Sequence, residues 1–221
     1  FALPVAATAI LGQLFNASDL AVVGNFAGEA RTAAVAAVGA NSSVVSLVVN
    51  LFTGVALGAN VVIAGAIGRE DTDAAQRAVH TALLFAVLGG FVIALLGELM
   101  AEPLLRMMSV PDEVLPLALL YLRIYLLGMP VILLYNFEAA IFRSIGDTKV
   151  PLATLAISGI INVILNLFFV IVLGMTVDGV AIATVISNAI SAVILFFRLK
   201  KANDYIRLDM SKLRINMRSL R

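Results

Sequence analysis

Two asparagines, Asn162 and Asn166, stand inside a run of 28 uncharged residues, 150–177. Amides in so apolar a run are costly unless they face a partner, an ion or water. Four residues apart on a helix, they share one face, about 6 Å from each other along the axis. Asp19 is the sharpest reactive candidate, since a carboxylate within an apolar helix can titrate or hold a cation. Gln13, Asn16 and Ser18 make that same helix unusually polar. The alternatives for Asp19 are an interfacial residue reaching the headgroups, or a partner for Arg31. Thr184 adds a hydroxyl on the helix that returns after Asn166. No Ser/His/Asp grouping, phosphate loop or paired catalytic carboxylates can be assembled, which argues against an enzyme.

Composition decides which elements position these groups. Of 221 residues 62% are hydrophobic and 13% charged, and the mean hydropathy is +1.05, the profile of an all-α integral membrane protein. The absence of cysteine excludes disulfides, thiolate metal sites and cysteine nucleophiles. Charges divide the chain into six expected spans, near residues 1–23, 42–67, 78–99, 116–142, 150–173 and 179–197. The apolar segment 32–67 would be roughly 54 Å long if wholly helical. It is therefore expected to break at Gly39-Ala40-Asn41 into a short interfacial helix and a span. The fourth span is expected to bend at Gly128-Met129-Pro130, because proline removes a backbone donor.

Alternate connections share a side of the membrane. Twelve basic residues fall on the side holding the second, fourth and terminal connections, and only Arg31 and Arg106 on the other, with Arg123 near the mouth of the fourth span. The positive-inside rule then makes both ends cytoplasmic; the membrane is expected to be a bacterial or archaeal inner or plasma membrane. Residues 1–201 form the six-helix unit, and 202–221 a basic cytoplasmic connector near the membrane surface. The start at Phe1, already inside an apolar helix, reads as a piece of a longer chain.

Helix rise sets the depths. Asp19 lies about 7 Å from the outer surface, Thr184 about 9 Å, Asn166 about 12 Å and Asn162 about 18 Å. One carboxylate, two amide carbonyls and one hydroxyl in the outer half make an all-oxygen set for a small hard cation such as sodium. The competing reading is that the asparagines only join helices by hydrogen bonds. Glu138 is expected to pair with Arg143, reach the surface or relay protons, Glu98 to be interfacial, and His80 to be hydrated. Gly54 and Gly58 read as a close-packing pair.

Three segments carry a resemblance. Leu3-Pro4, Gly12-Gln13-Leu14, Asp19 and Val23-Gly24 are similar to the opening helix of the multidrug and toxic compound extrusion (MATE) transporters. The run 142–151, Phe-Arg-Ser-Ile-Gly-Asp-Thr-Lys-Val-Pro, resembles that family's loop after the fourth helix. Asn162 to Asn166, followed by 179–187, resembles its fifth and sixth helices. The resemblance implies one six-helix lobe of a twelve-helix, two-lobed antiporter that exports organic, cationic amphipathic compounds or drugs in exchange for sodium ions or protons, with no bound cofactor. It places Asp19, Asn162, Asn166 and Thr184 at the cation site and Pro4, with the Pro130 bend, among the conformational elements. Some members carry aspartate where this chain has Asn166, which leaves one carboxylate here instead of two. The implied partners are small organic substrates, the lipid bilayer and a second lobe, without nucleic acid. The rival readings are a lipid-linked oligosaccharide flippase, which would want a more basic cleft, and a non-transporting assembly subunit.

Overall fold

The computed structural model describes residues 2–208, and side chains from residue 7 onward except that of Ala9. Within them the chain forms seven α-helices and no strand. They are α1 (Ala2–Phe26), α2 (Arg31–Gly68), α3 (Thr72–Met107), α4 (Leu115–Leu127), α5 (Met129–Ser144), α6 (Lys149–Leu167) and α7 (Val177–Lys200). Four of these, α2, α3, α6 and α7, are long and apolar enough to cross a membrane, and α4 with α5 forms a fifth, bent span. Helix α1, with 25 residues and Asp19 as its only charge, packs against α6 and α2.

The expected bend lies between α4 and α5, at an angle of 52°. Pro130 has no N–H, and the Val131 and Ile132 amides both turn to the Gly128 carbonyl at 3.1 Å. Neighbouring helices grip this corner. A side chain at Gly90 of α3 would collide with the Pro130 backbone, and one at Gly128 would collide with Val185 of α7. Helix α5 then runs through the centre, packed on α2, α3 and α7, with Leu133, Phe137 and Ile141 buried.

Hydrocarbon tails are as apolar as leucine, so close packing and interhelical hydrogen bonds hold such helices together. Asn41 Nδ2 donates to Ala37 O at 2.9 Å and across to Ala118 O of α4 at 2.8 Å. Asn60 Nδ2 donates to Ala140 O of α5 at 3.2 Å.

Several expectations are overturned. Helix α2 is continuous over 38 residues, with no break at Gly39-Ala40-Asn41. Nothing there lacks a backbone donor, and Asn41 Nδ2 is bonded to a neighbouring helix. At about 57 Å the helix exceeds a hydrocarbon core of about 30 Å and extends past it. Gly54 and Gly58 lie on the exposed face of α2 with nothing near enough to need their missing side chains. His80 is buried, at 1% exposure, with Nδ1 2.7 Å from Gln76 O, so it is not hydrated. Glu98 is not among the overturned expectations: it is partly exposed and pairs with Arg123 of α4 at 3.4 Å. The start of the connector packs against the end of the bundle: Ile206 and Leu208 are buried, and Gln76 Nε2 donates to Asp204 O at 2.7 Å. The remaining connector residues, with Leu213 and Ile215, lie outside the described residues.

These contacts set the roles of two glycines apart. Gly90→Ala should destabilise the purified protein by about 1–3 kcal/mol in thermal unfolding. Gly54→Ala should leave stability unchanged or slightly raised, since alanine favours helix. Similar shifts for both would contradict this packing.

A candidate cation site between α1, α6 and α7

The four residues expected to form a site come from three helices and meet. Asp19, on α1, is 4% exposed, Asn162 4% and Asn166 0%. Asn166 Nδ2 donates to Asp19 Oδ1 at 2.5 Å and to Asn162 Oδ1 at 3.1 Å. Thr184 Oγ1 reaches Asp19 Oδ2 at 3.4 Å but lies nearer its own backbone acceptor, Val180 O, at 3.0 Å. Asn162 Nδ2 donates to Thr184 Oγ1 at 3.3 Å and weakly to Ser187 Oγ at 3.5 Å. Asp19 makes no ion pair with Arg31, and the buried Asn166 Oδ1 has no hydrogen-bond partner.

Local sequence explains the convergence. Phe15 lies one turn before Asp19, and its ring occupies the space a side chain at Gly159 would take. That contact brings α1 against α6 at the level of the amides. Beyond Asn166, α6 widens into a π turn over Phe168–Val172, closed by Leu173 N to Phe168 O at 3.2 Å. Gly174, at φ +67°, and a close approach of Gly179 to Phe169 then start α7 directly beside α6. Single π turns often mark functional sites, and no residue pattern in 168–172 signals this one.

A cavity of about 170 Å³ opens on the cluster. Besides Asp19, Asn162 and Thr184, its polar lining includes Tyr125, Ser158, Ser187 and Asn188, none of them expected as site residues. Ser158 was legible as the next step of the four-residue stripe through Asn162 and Asn166, and Ser187 and Asn188 lie one turn beyond Thr184. Tyr125 comes from α4 and needs the tertiary fold to be found. The donors are all oxygen, with one carboxylate, and no group of three or more His, Cys, Asp or Glu gathers among the described residues. A small hard cation suits this set better than a transition metal.

Pro4 lies within α1, which is unbroken from Ala2 to Phe26. Pro130 is at the α4–α5 corner, away from the cluster. Glu138 neither pairs with Arg143 nor reaches the surface. It is 0% exposed with both carboxyl oxygens unpartnered, because five residues of helix turn the two side chains about 140° apart.

With the geometry in place, comparison with known proteins places the chain. The MatE family model matches residues 4–168. The chain belongs to the MatE family. A probable multidrug resistance protein of Bacillus subtilis, YoeA, is 30% identical over 95% of this chain and 45% of its own length. A FAD transporter of Shewanella oneidensis is 28% identical over 73% of this chain and 37% of its own. A MATE transporter solved in a bent conformation superposes with a TM-score of 0.89 at 25% identity, over 98% of this chain and 48% of that one. The chain thus spans about half the length of the relatives it matches. Its family and relatives are integral membrane transporters driven by ion gradients, not enzymes.

An unpartnered buried carboxyl costs stability, of order 1–3 kcal/mol for an unmade hydrogen bond. Glu138→Met, of similar volume, should therefore keep or raise the thermal unfolding temperature of the purified protein. A clear drop would show that Glu138 has a stabilising partner.

Proposed function

We propose that the protein carrying this chain is a secondary antiporter that exports organic, cationic amphipathic compounds in exchange for sodium ions or protons, with Asp19 as the coupling carboxylate. The observation that carries the reading is the buried Asp19 carboxylate, held by Asn166 and Thr184 beside the unpartnered Asn166 oxygen. Held this way, Asp19 has two chemical options. A proton would turn one carboxyl oxygen from acceptor to donor and disturb the contact made there, with Asn166 at Oδ1 or with Thr184 at Oδ2. A sodium ion between Asp19 and Asn162 would have to displace Asn166 Nδ2 and turn its carbonyl inward, which would give the lone Oδ1 a partner. In either case the cation changes what fastens α1 to α6 and α7.

Coupling requires that ion and substrate prefer different states, so a cation bound equally by both would drive nothing. In this reading ion binding favours one arrangement of the lobe, with Pro4 taking part in a rearrangement of α1, and substrate is released from a cleft shared with the second lobe. The multidrug name of YoeA supports organic drugs as the substrate class. The FAD transporter among the relatives makes an anionic flavin nucleotide the alternative. Both ends of the chain are assigned to the cytoplasm on the distribution of basic residues alone.

The test is export of a fluorescent cationic dye, and in parallel of FAD, from cells making the protein, wild type against Asp19→Asn at matched membrane expression. Dye export driven by a sodium or proton gradient should fall at least tenfold in the variant. Dependence on sodium at fixed pH, or on pH without sodium, names the ion. Export of FAD alone would move the protein to the nucleotide class. Unchanged export in the variant would reduce the cluster to interhelical hydrogen bonding.

A further inference from the structure

The basic end of the bundle carries a second cavity, of about 690 Å³, between the α5–α6 connection and the end of α7. Its walls are apolar, from Val150 of α6 and Val193, Ile194 and Phe197 of α7. Val193 and Phe197 are 53% and 58% exposed, so the groove opens sideways, where a bilayer would lie. Val193 and Phe197 are four residues apart on α7, so the apolar wall runs about 6 Å along the helix. Arg198 and Lys201 line the groove at its polar end. Neither has an ion-pair partner among the described residues, and the neighbouring Lys200 lies over the Phe196 ring instead. The one acidic residue lining the groove, Asp147, is engaged: its Oδ1 accepts from the Lys149 and Val150 amides at 3.1 Å.

An apolar trough along a membrane helix that ends in two free cations matches one kind of molecule, an acyl chain joined to an anionic phosphate. We infer that this groove binds an anionic phospholipid of the adjacent leaflet, its acyl chain against Val193, Ile194 and Phe197 and its phosphate between Arg198 and Lys201. Charge disfavours the nearest alternative occupant, the rest of this chain. Residues 209–221 hold Lys212, Arg214, Arg218 and Arg221 against Asp209, and would bring more positive charge to a positive rim. The inference rests on α6 and α7 spanning a bilayer. It does not depend on Asp19 coupling, so the two can fail separately.

An added indole can report it, since this chain has no tryptophan. The protein bearing Val193→Trp is reconstituted in mixed vesicles where either phosphatidylglycerol or phosphatidylcholine carries bromine on its acyl chains. Quenching is read as the difference from the parent protein. Ile164→Trp, on the 60%-exposed outer face of α6, serves as the lipid-facing control. Phosphatidylglycerol should be preferred at Val193 on the order of tenfold, with little preference at Ile164. Arg198→Gln with Lys201→Gln should bring the Val193 preference down to the control level. Equal preference at both reporters, a preference that survives the double substitution, or no quenching by either lipid at Val193 would each overturn the proposal. The last result would mean that protein fills the groove.

Discussion

A carboxylate buried among apolar helices has to be solvated by the protein, because neither water nor lipid tails will do it. Asp19 meets this demand with an amide from α6 and a hydroxyl from α7, and much of the local architecture follows from that need. Asn166 can donate to Asp19 only if α1 approaches α6 closely, and Gly159 under the Phe15 ring permits the approach. Thr184 can reach the same carboxylate only if α7 starts beside the end of α6, which the π turn and Gly174 arrange. Asn162 closes the network by accepting from Asn166 and donating toward Thr184.

The rest of the bundle is built on a different solution to the same solvent. Away from the cluster, polar side chains mostly bond to backbone carbonyls, as Asn41 and Asn60 do across helices and Asn136 and Thr154 do within their own. The bonds of Asn41 and Asn60 fix helix against helix, and none of these groups leaves a charge to neutralise. Asp19 and Glu138 are the two buried carboxyls that depart from this pattern. Asp19 has partners that a cation or a proton would rearrange. Glu138 has no hydrogen-bond partner to rearrange.

How much was legible in the sequence follows from the range of each interaction. The all-helical, span-forming architecture and the bend at Pro130 depend on hydropathy and on one missing backbone donor, both local properties. Asp19, Asn162, Asn166 and Thr184 were legible because depth along a helix follows from residue count, and polar groups at similar depths in an apolar bundle must find each other. Rotation about the helix axis is not fixed by counting. Gly54 and Gly58 have the spacing of a packing pair but face outward, while Gly90, Gly128 and Gly159, which carry no spacing signal, sit at the tight crossings. The supposed break at Asn41 failed for a related reason: a polar residue in an apolar run can mark a helix end or a cross-link. The carbonyl that decides between them, Ala118 O, lies 77 residues away.

The same geometry bears on how a site so small could move a lobe. Helix α1 packs chiefly on α6 and α2 and only lightly on α7, while α5 is wedged among α2, α3 and α7. The central helices therefore have many contacts to lose before they shift, and α1 has few. Among those few, Asp19 is the charged member, and its two hydrogen bonds are the ones an ion or a proton would alter. Displacing Asn166 Nδ2 would remove the strongest polar tie between α1 and α6 while leaving the α5 wedge untouched. A change confined to one carboxyl is thus placed where the bundle resists least, and coupling at this position would need no transmission through the packed core.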